Sequence, residues 1–145
     1  MKRYVTFGEL MLRLSPPGRE LLLQSASLNA TFGGAEANVA VSLANYGENV
    51  SFVTALPENA VADAALRELR GFGVDTSFIR RSGDRVGIYY AEPGACMRPS
   101  KVIYDRTHSS ICEISAADFD WQKIFKGAHW FHTTGITPAI SAGTA

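Results

Sequence analysis

The chain has 145 residues, 46% of them hydrophobic and 19% charged, and its 14 basic and 14 acidic residues leave no net charge. This balance disfavours a nucleic-acid-binding surface, which needs a basic excess, and two cysteines, Cys96 and Cys112, are too few for a disulfide framework, so reduced thiols are expected. No apolar run reaches membrane-spanning length and no secretory signal is recognisable, so we expect a cytoplasmic protein with no membrane partner.

The first half of the chain predicts strands that alternate with helices. Runs rich in β-branched and aromatic residues indicate strands, whereas apolar residues at every third or fourth position indicate helices. Asn59 can cap the second helix, and Gly71 and Gly73 can end it. In chain order we expect strands over residues 4–7, 11–14 and part of 21–32, a helix over 35–46, a strand over 50–55 and a helix after residue 59.

The second half predicts mostly short strands. Breakers such as Pro93-Gly94 separate them. Ser115, followed three residues later by Asp118, has the pattern of a capping box at the start of a short helix. In chain order we expect strands over residues 74–81, 86–91 and 102–104, a short helix from residue 115, a strand over 128–133 and a helix that opens at residue 138.

This alternation predicts an α/β fold with a mainly parallel sheet. Two stretches, about residues 10–32 and 84–108, contain strand signals without helices and do not fit the alternation. We therefore expect them to form an inserted β-sheet that acts as a flap.

The most informative stretch begins at Gly33 and Gly34, directly before the first predicted helix. Paired glycines let a ligand approach the main chain closely, and the free N–H groups of a helix start carry partial positive charge. Asn38 lies one turn inside the helix, where its side chain can face the same space. The pattern predicts a small-molecule site; a tight strand-to-helix turn is the alternative interpretation.

These residues resemble a known family. Gly33-Gly34-x-x-x-Asn38-x-Ala40, followed by Gly47, is similar to the N-terminal signature of the ribokinase-like (PfkB) carbohydrate kinases. The resemblance covers essentially the whole chain and implies a Rossmann-like three-layer sandwich with an inserted β-sheet lid at about 10–32 and 84–108. Family members are considerably longer, so it also implies that residues 1–145 are the N-terminal part of one such domain, truncated after its first half.

Within that family the chain is most similar to the 2-keto-3-deoxygluconate kinases, through residues 8–14, 56–59, 87–90, 102–106 and 134–138. The resemblance implies transfer of the ATP γ-phosphoryl group to the terminal hydroxyl of that sugar acid, with ATP and Mg²⁺ as cofactors. It implies no catalytic residue in this chain, since the family's general base and most of its ATP site lie in the C-terminal half. It further implies a homo-oligomer formed through the lid.

Two alternatives remain open. One is another sugar kinase of the family, such as a fructokinase or a ribokinase. The other is a non-catalytic fragment that binds the sugar or dimerises. Other classes fit poorly, because the glycine turn is not the G-x-G-x-x-G of dinucleotide-binding folds and no P-loop motif is present.

The resemblance also implies a set of substrate-binding residues. Paired tyrosines on neighbouring strands would pack against the sugar, although plain cross-strand pairing is the alternative. Backbone just past a core strand would form the floor of the pocket. The expected set is Glu9, Gly33, Gly34, Asn38, Tyr89, Tyr104, Arg106, Gly135 and Ile136.

Charged residues of this set have competing interpretations. Arg106 is expected to bind the substrate carboxylate, because a guanidinium forms a bidentate, charge-assisted fork with it; a surface ion pair with Asp105 or Glu92 is the alternative. Glu9 could hold a sugar hydroxyl or form a salt bridge with the flap. We expect no metal site, since His129 and His132 are three apart in a predicted strand and point to opposite faces.

Overall fold

The computed structural model describes residues 2–145. Among the helices of this range, none has both the length and the apolar character of a membrane span. The helices are α1 (Ala35–Asn45), α2 (Ala60–Gly71) and α3 (Trp121–Phe125), with 3₁₀ turns at Ser110–Glu113, Ala116–Asp118 and Thr137–Ala139. The strands are β1 (Arg3–Phe7), β2 (Met11–Ser15), β3 (Asn29–Gly33), β4 (Asn49–Val53), β5 (Ala55–Leu56), β6 (Arg80–Arg81), β7 (Ile88–Glu92), β8 (Lys101–Asp105) and β9 (Trp130–His132).

A parallel sheet lies at the centre, with β1 between β4 and β9. Val5 in β1 is in register with Ser51 on one side and with Phe131 on the other. All pairs in this sheet are parallel, so the predicted α/β fold with a parallel sheet is confirmed. The carboxyl ends of its strands meet at one edge, where the candidate site lies.

Both faces of this sheet are covered. Side chains alternate along β4, so Val50 and Phe52 pack against α1 and α2, whereas Val53 packs on the opposite face. On that second face, Val5 and Val53 are buried with residues from the C-terminal third of the chain, which are Ile111, Ile114 and Ile124. The result is one layer on each side of the sheet, as the predicted three-layer fold requires.

A second sheet has the strand order β3-β2-β7-β8. Its outer pairs are antiparallel, and the central pair of β2 with β7 is parallel. Its strands come from the two segments, about 10–32 and 84–108, that were predicted to form the lid. The movement of this sheet as a lid over a substrate remains a prediction.

Two predicted elements are wrong over most of their length. The strand expected over residues 74–81 is reduced to β6, because Asp75 Oδ1 accepts the Ser77 backbone N–H at 2.9 Å and turns the chain. The helix expected from residue 138 is a single 3₁₀ turn. There, the Thr144 hydroxyl donates to the Thr137 carbonyl at 2.7 Å and folds the last residues back.

The cap of α2 is a local feature that the sequence predicted correctly. Asn59 Oδ1 accepts the Ala62 backbone N–H at 3.0 Å, so it satisfies one of the donors that a helix start leaves free. Replacing Asn59 by alanine should lower the free energy of unfolding by about 0.5–2 kcal/mol. Urea denaturation measures this loss, and Asn59→Asp, which keeps the acceptor, is the matched control. Equal midpoints for the two variants would contradict the prediction.

Candidate functional site

The candidate site lies at the carboxyl edge of the central sheet. Gly8 and Glu9 follow β1, and residues 133–136 follow its neighbour β9. Helix α1 begins beside them at Ala35, directly after the glycine pair. Open α/β sheets bind ligands at this edge, because the loops there leave a crevice between neighbouring strands.

A cavity of about 240 Å³ opens at this edge. The second sheet contributes one wall, and the start of α1 and the 3₁₀ turn after β9 contribute the others. Of the predicted site residues, Gly135 does not line it; Gly135 borders an adjoining cavity of about 680 Å³, which shares Arg106 and Ile136 with the first. The predicted residues that the structure brings together are Glu9, Gly33, Gly34, Asn38, Tyr89, Tyr104, Arg106 and Ile136.

The two glycines have packing reasons of their own. A Cβ added at Gly34 would collide with the backbone carbonyl oxygen of Glu9, and one at Gly33 would lie 2.8 Å from the Tyr89 hydroxyl. The alternative interpretation, a tight strand-to-helix turn, therefore has direct structural support. The absence of side chains at these positions also leaves the cavity wall open beside Asn38, which is exposed.

The two tyrosines are cross-strand partners. Tyr89 in β7 is in register with Tyr104 in β8, and their ring centroids are 6.1 Å apart with an interplanar angle of 34°. The Arg106 guanidinium lies 5.5 Å from the Tyr104 ring centroid, within cation–π range. Plain strand pairing therefore explains how the tyrosines are held, and both nevertheless line the cavity.

Glu9 is a buried carboxylate with two side-chain donors. Only 4% of its surface is exposed. Arg106 Nη2 donates to Oε2, and the Ser109 hydroxyl donates to Oε1 at 2.8 Å. Burial raises the pKa of the Glu9 carboxyl above its ordinary value, and the Ser109 and Arg106 hydrogen bonds together with the Arg106 charge oppose that rise. The charge of Glu36 raises this pKa a little further.

The surface ion pairs considered for Arg106 are wrong. Asp105 pairs with Arg85 at 2.9 Å, and Glu92 lies 3.8 Å from Arg98. Arg106 instead reaches Glu9, which is the salt bridge with the flap that was one interpretation of Glu9.

Arg106 keeps unused hydrogen-bonding capacity. A guanidinium has five N–H donors in a planar fork, and Glu9 accepts from Nη2. The buried Nε has no partner among residues 2–145, and 22% of the side chain is exposed. Because Arg106 also lines the cavity, donors remain for an anionic ligand there.

Glu36 is a cavity residue that the sequence analysis missed. It is 2% exposed, and its Oε1 accepts from the backbone N–H and the hydroxyl of Thr134, at 2.9 and 2.7 Å, and from the Thr137 hydroxyl at 3.0 Å. It thereby ties the first turn of α1 to the loop after β9. Gly8 lies against it, since a Cβ there would collide with the Glu36 carboxylate. An acidic residue in the first helical turn, beside two glycines, was the available signal.

Metal-binding residues do not cluster in the part of the chain that the structure describes. No group of three or more His, Cys, Asp or Glu side chains there could hold a metal ion. Cys96 and Cys112 are free thiols, the first exposed and the second partly buried.

Comparison with known proteins decides the family. A family model described as pfkB family carbohydrate kinase matches residues 1–142. The chain belongs to the pfkB carbohydrate kinase family. The match confirms the family that the sequence analysis expected from the glycine-pair signature.

Curated relatives of this pfkB chain are kinases by name. It is 39% identical over 138 residues to a 2-dehydro-3-deoxygalactonokinase of Haloferax volcanii and 30% identical over 145 residues to a 2-dehydro-3-deoxygluconokinase of Bacillus subtilis. These alignments cover 94% and 95% of this chain but 43% of each relative. A crystal structure of 2-dehydro-3-deoxygluconokinase from Thermotoga maritima matches with a TM-score of 0.95 and 55% identity, over 97% of this chain and 43% of that one. The pfkB chain thus spans less than half the length of these relatives.

Proposed function

We propose that the chain forms the sugar-acid-binding part of an ATP-dependent kinase that phosphorylates 2-keto-3-deoxygluconate, also named 2-dehydro-3-deoxygluconate, at its terminal hydroxyl. The observation that carries the proposal is the cavity at the carboxyl edge of the sheet, which combines the Arg106 guanidinium with Tyr89, Tyr104 and Asn38. The names of the relatives support the substrate class.

Each side chain has a role in this proposal. The unused donors of Arg106 bind the substrate carboxylate, since charge-assisted bonds from a guanidinium are strong and directional. Asn38 donates to and accepts from sugar hydroxyls. Tyr89 and Tyr104 pack on the sugar and offer their phenols, and Gly33 leaves room for it. Ile136, just past β9, forms the floor, and Gly135 borders the adjoining cavity.

ATP and Mg²⁺ belong to the proposal as cofactors, but we assign neither to a residue of this chain. The carboxylates that line the cavity are Glu9 and Glu36, and both already accept hydrogen bonds within the protein. Carboxylates that are engaged in this way do not fit Mg²⁺, which binds one or two free carboxylates together with water and phosphate oxygens. We therefore derive no chemical step through the metal and name no catalytic residue here. This chain binds and orients the sugar acid, and its second sheet helps to exclude water.

The second sheet also supports a homo-oligomer. All five residues of β8, which forms one edge of this sheet, are exposed, among them Val102 at 47% and Tyr104 at 58%. An exposed edge strand with apolar residues can pair with the same strand of another copy. We include this pairing in the proposal.

A coupled assay for ADP formation by the natural gene product that contains these residues tests the function. We expect a higher kcat/KM for 2-keto-3-deoxygluconate than for fructose or ribose. The galactonate epimer is included because the Haloferax volcanii relative is named for it. A preference for fructose or ribose would overturn the substrate proposal and leave the family. Binding of the sugar acid without any ATP-dependent turnover would support a non-catalytic binding protein instead.

A further inference from the structure

The proposed substrate is an anion, whereas the cavity already contains acidic side chains. Glu9 and Glu36 line it together with Arg106, so carboxylates outnumber the guanidinium. A sugar acid brings a further carboxylate into the same low-dielectric space, where repulsion between like charges is strong. A proton on one of the carboxylates would remove this repulsion.

Glu9 is better placed than Glu36 to take that proton. Its Oε2 accepts from Arg106, the residue whose other donors bind the substrate carboxylate in the proposed function. Among residues 2–145, no hydrogen bond or ion pair joins Glu36 to Arg106, and Glu36 Oε1 accepts from Thr134 and Thr137. A carboxylate that binds to Arg106 therefore competes with Glu9 for the same cation.

Glu9 has little room to move aside. A Cβ at Gly87 would lie 2.5 Å from Glu9 Oε1, so the segment before β7 packs directly against the carboxylate. Ser109 holds the same oxygen from the segment after β8, and Glu36 is the nearby charge on α1. Arg106 is the cation that faces it. Confinement on these sides favours a change of charge over a displacement of the Glu9 side chain when a second anion arrives.

We propose that the carboxylate of the bound sugar acid and that of Glu9 share Arg106, and that Glu9 takes up a proton from solvent when the sugar acid binds. This inference rests on the proposed function. The proton ends on a Glu9 carboxylate oxygen, and no bond of the substrate is made or broken. Protonated Glu9 still accepts a hydrogen bond from Ser109 and no longer competes for the charge of Arg106.

The sign of the pH dependence follows from the surroundings of Glu9. Burial already raises its pKa above the ordinary value of a glutamate, and a second carboxylate on Arg106 raises the pKa further in the complex. The complex therefore binds more protons than the free protein at pH values between these two pKa values. Affinity for the sugar acid falls as pH rises through this window, by up to about tenfold per pH unit when one proton is linked.

Isothermal titration calorimetry of the natural gene product with 2-keto-3-deoxygluconate measures the proton directly. Titrations in buffers of different ionisation enthalpy, from about pH 5 to about pH 8, should give an uptake that reaches up to about one proton per bound anion. Glu9→Gln should abolish the uptake and flatten the pH dependence. Asp105→Asn is the matched control, because Asp105 is half exposed, pairs with Arg85 and undergoes the same change of charge; its uptake should equal that of the unmodified protein.

A neutral analogue, with a primary alcohol in place of the carboxylate, should bind without proton uptake. Binding of the sugar acid by the unmodified protein without uptake at any pH would overturn the inference and leave the proposed function intact. The same holds if Glu9→Gln or the neutral analogue gives full uptake. If the sugar acid does not bind at any pH, both the inference and the proposed function fail.

Discussion

Replacing Arg106 by leucine should abolish measurable binding of the sugar acid and lower the free energy of unfolding by about 3–5 kcal/mol at neutral pH. Both effects have one cause. The guanidinium binds the substrate carboxylate in the proposed function, and it also balances the negative charge of Glu9, which is 4% exposed. Without it, an ionised carboxylate stays buried with Ser109 as its remaining side-chain donor. The loss should shrink as the pH falls, because protonation of Glu9 relieves it.

Urea denaturation at two pH values and calorimetric titration measure the two effects of this substitution. Arg85→Leu is the matched control, because Arg85 makes a partly exposed ion pair with Asp105, and such pairs contribute about 0–1 kcal/mol. Arg106→Lys separates charge from geometry: it should recover more stability than binding, since an ammonium cannot form the fork. Equal stability of the Arg106→Leu and Arg85→Leu variants would show that Glu9 does not depend on Arg106.

Replacing Gly34 by alanine should destabilise the protein by about 1–3 kcal/mol and weaken sugar-acid binding. The added Cβ would collide with the backbone carbonyl oxygen of Glu9, and backbone cannot swing away as a flexible side chain can. Either the start of α1 or the segment after β1 must shift. Both segments line the cavity, so the shift should reach Asn38 and Glu9.

The control for this substitution is Gly71→Ala. Gly71 is the last residue of α2, and a Cβ there meets no atom within 4 Å. Alanine should leave stability unchanged or raise it by up to about 1 kcal/mol, because glycine is the poorer helix former. Thermal denaturation and titration of both variants check the pair. A Gly34→Ala protein as stable as Gly71→Ala would mean that the close approach to Glu9 relaxes without cost.

Local features of the fold were predictable from the sequence because their causes lie within a few residues. Asn59 caps α2 through Ala62, and Ser115 forms a capping box with Asp118, each three positions away. The glycine pair before α1 is equally local. The strand prediction over residues 74–81 was wrong, also for a local reason. The Asp75 side chain accepts the Ser77 backbone N–H, which a strand would use for pairing.

Side-chain partners in the cavity were not predictable in this way. The residue types were recognised, but Arg106 meets Glu9 across 97 positions, and Glu36 meets Thr134 across 98. No spacing rule connects residues so far apart, and only the register of the strands brings them together. The alternative interpretation of Arg106 therefore named the wrong ion-pair partners, and the role of Glu36 was missed.

The tie from Glu36 to the loop after β9 has a consequence for the order of folding. A ribosome that has made residues 1–110 has supplied Glu9, Ser109 and Arg106, but not Thr134 or Thr137. The cavity floor therefore closes after the strands and helices between α1 and β9 have been synthesised and ordered. Until then, the Glu36 carboxylate and the free edge of β1 remain open to water and to other chains. A translational pause between α3 and β9 would prolong this vulnerable state.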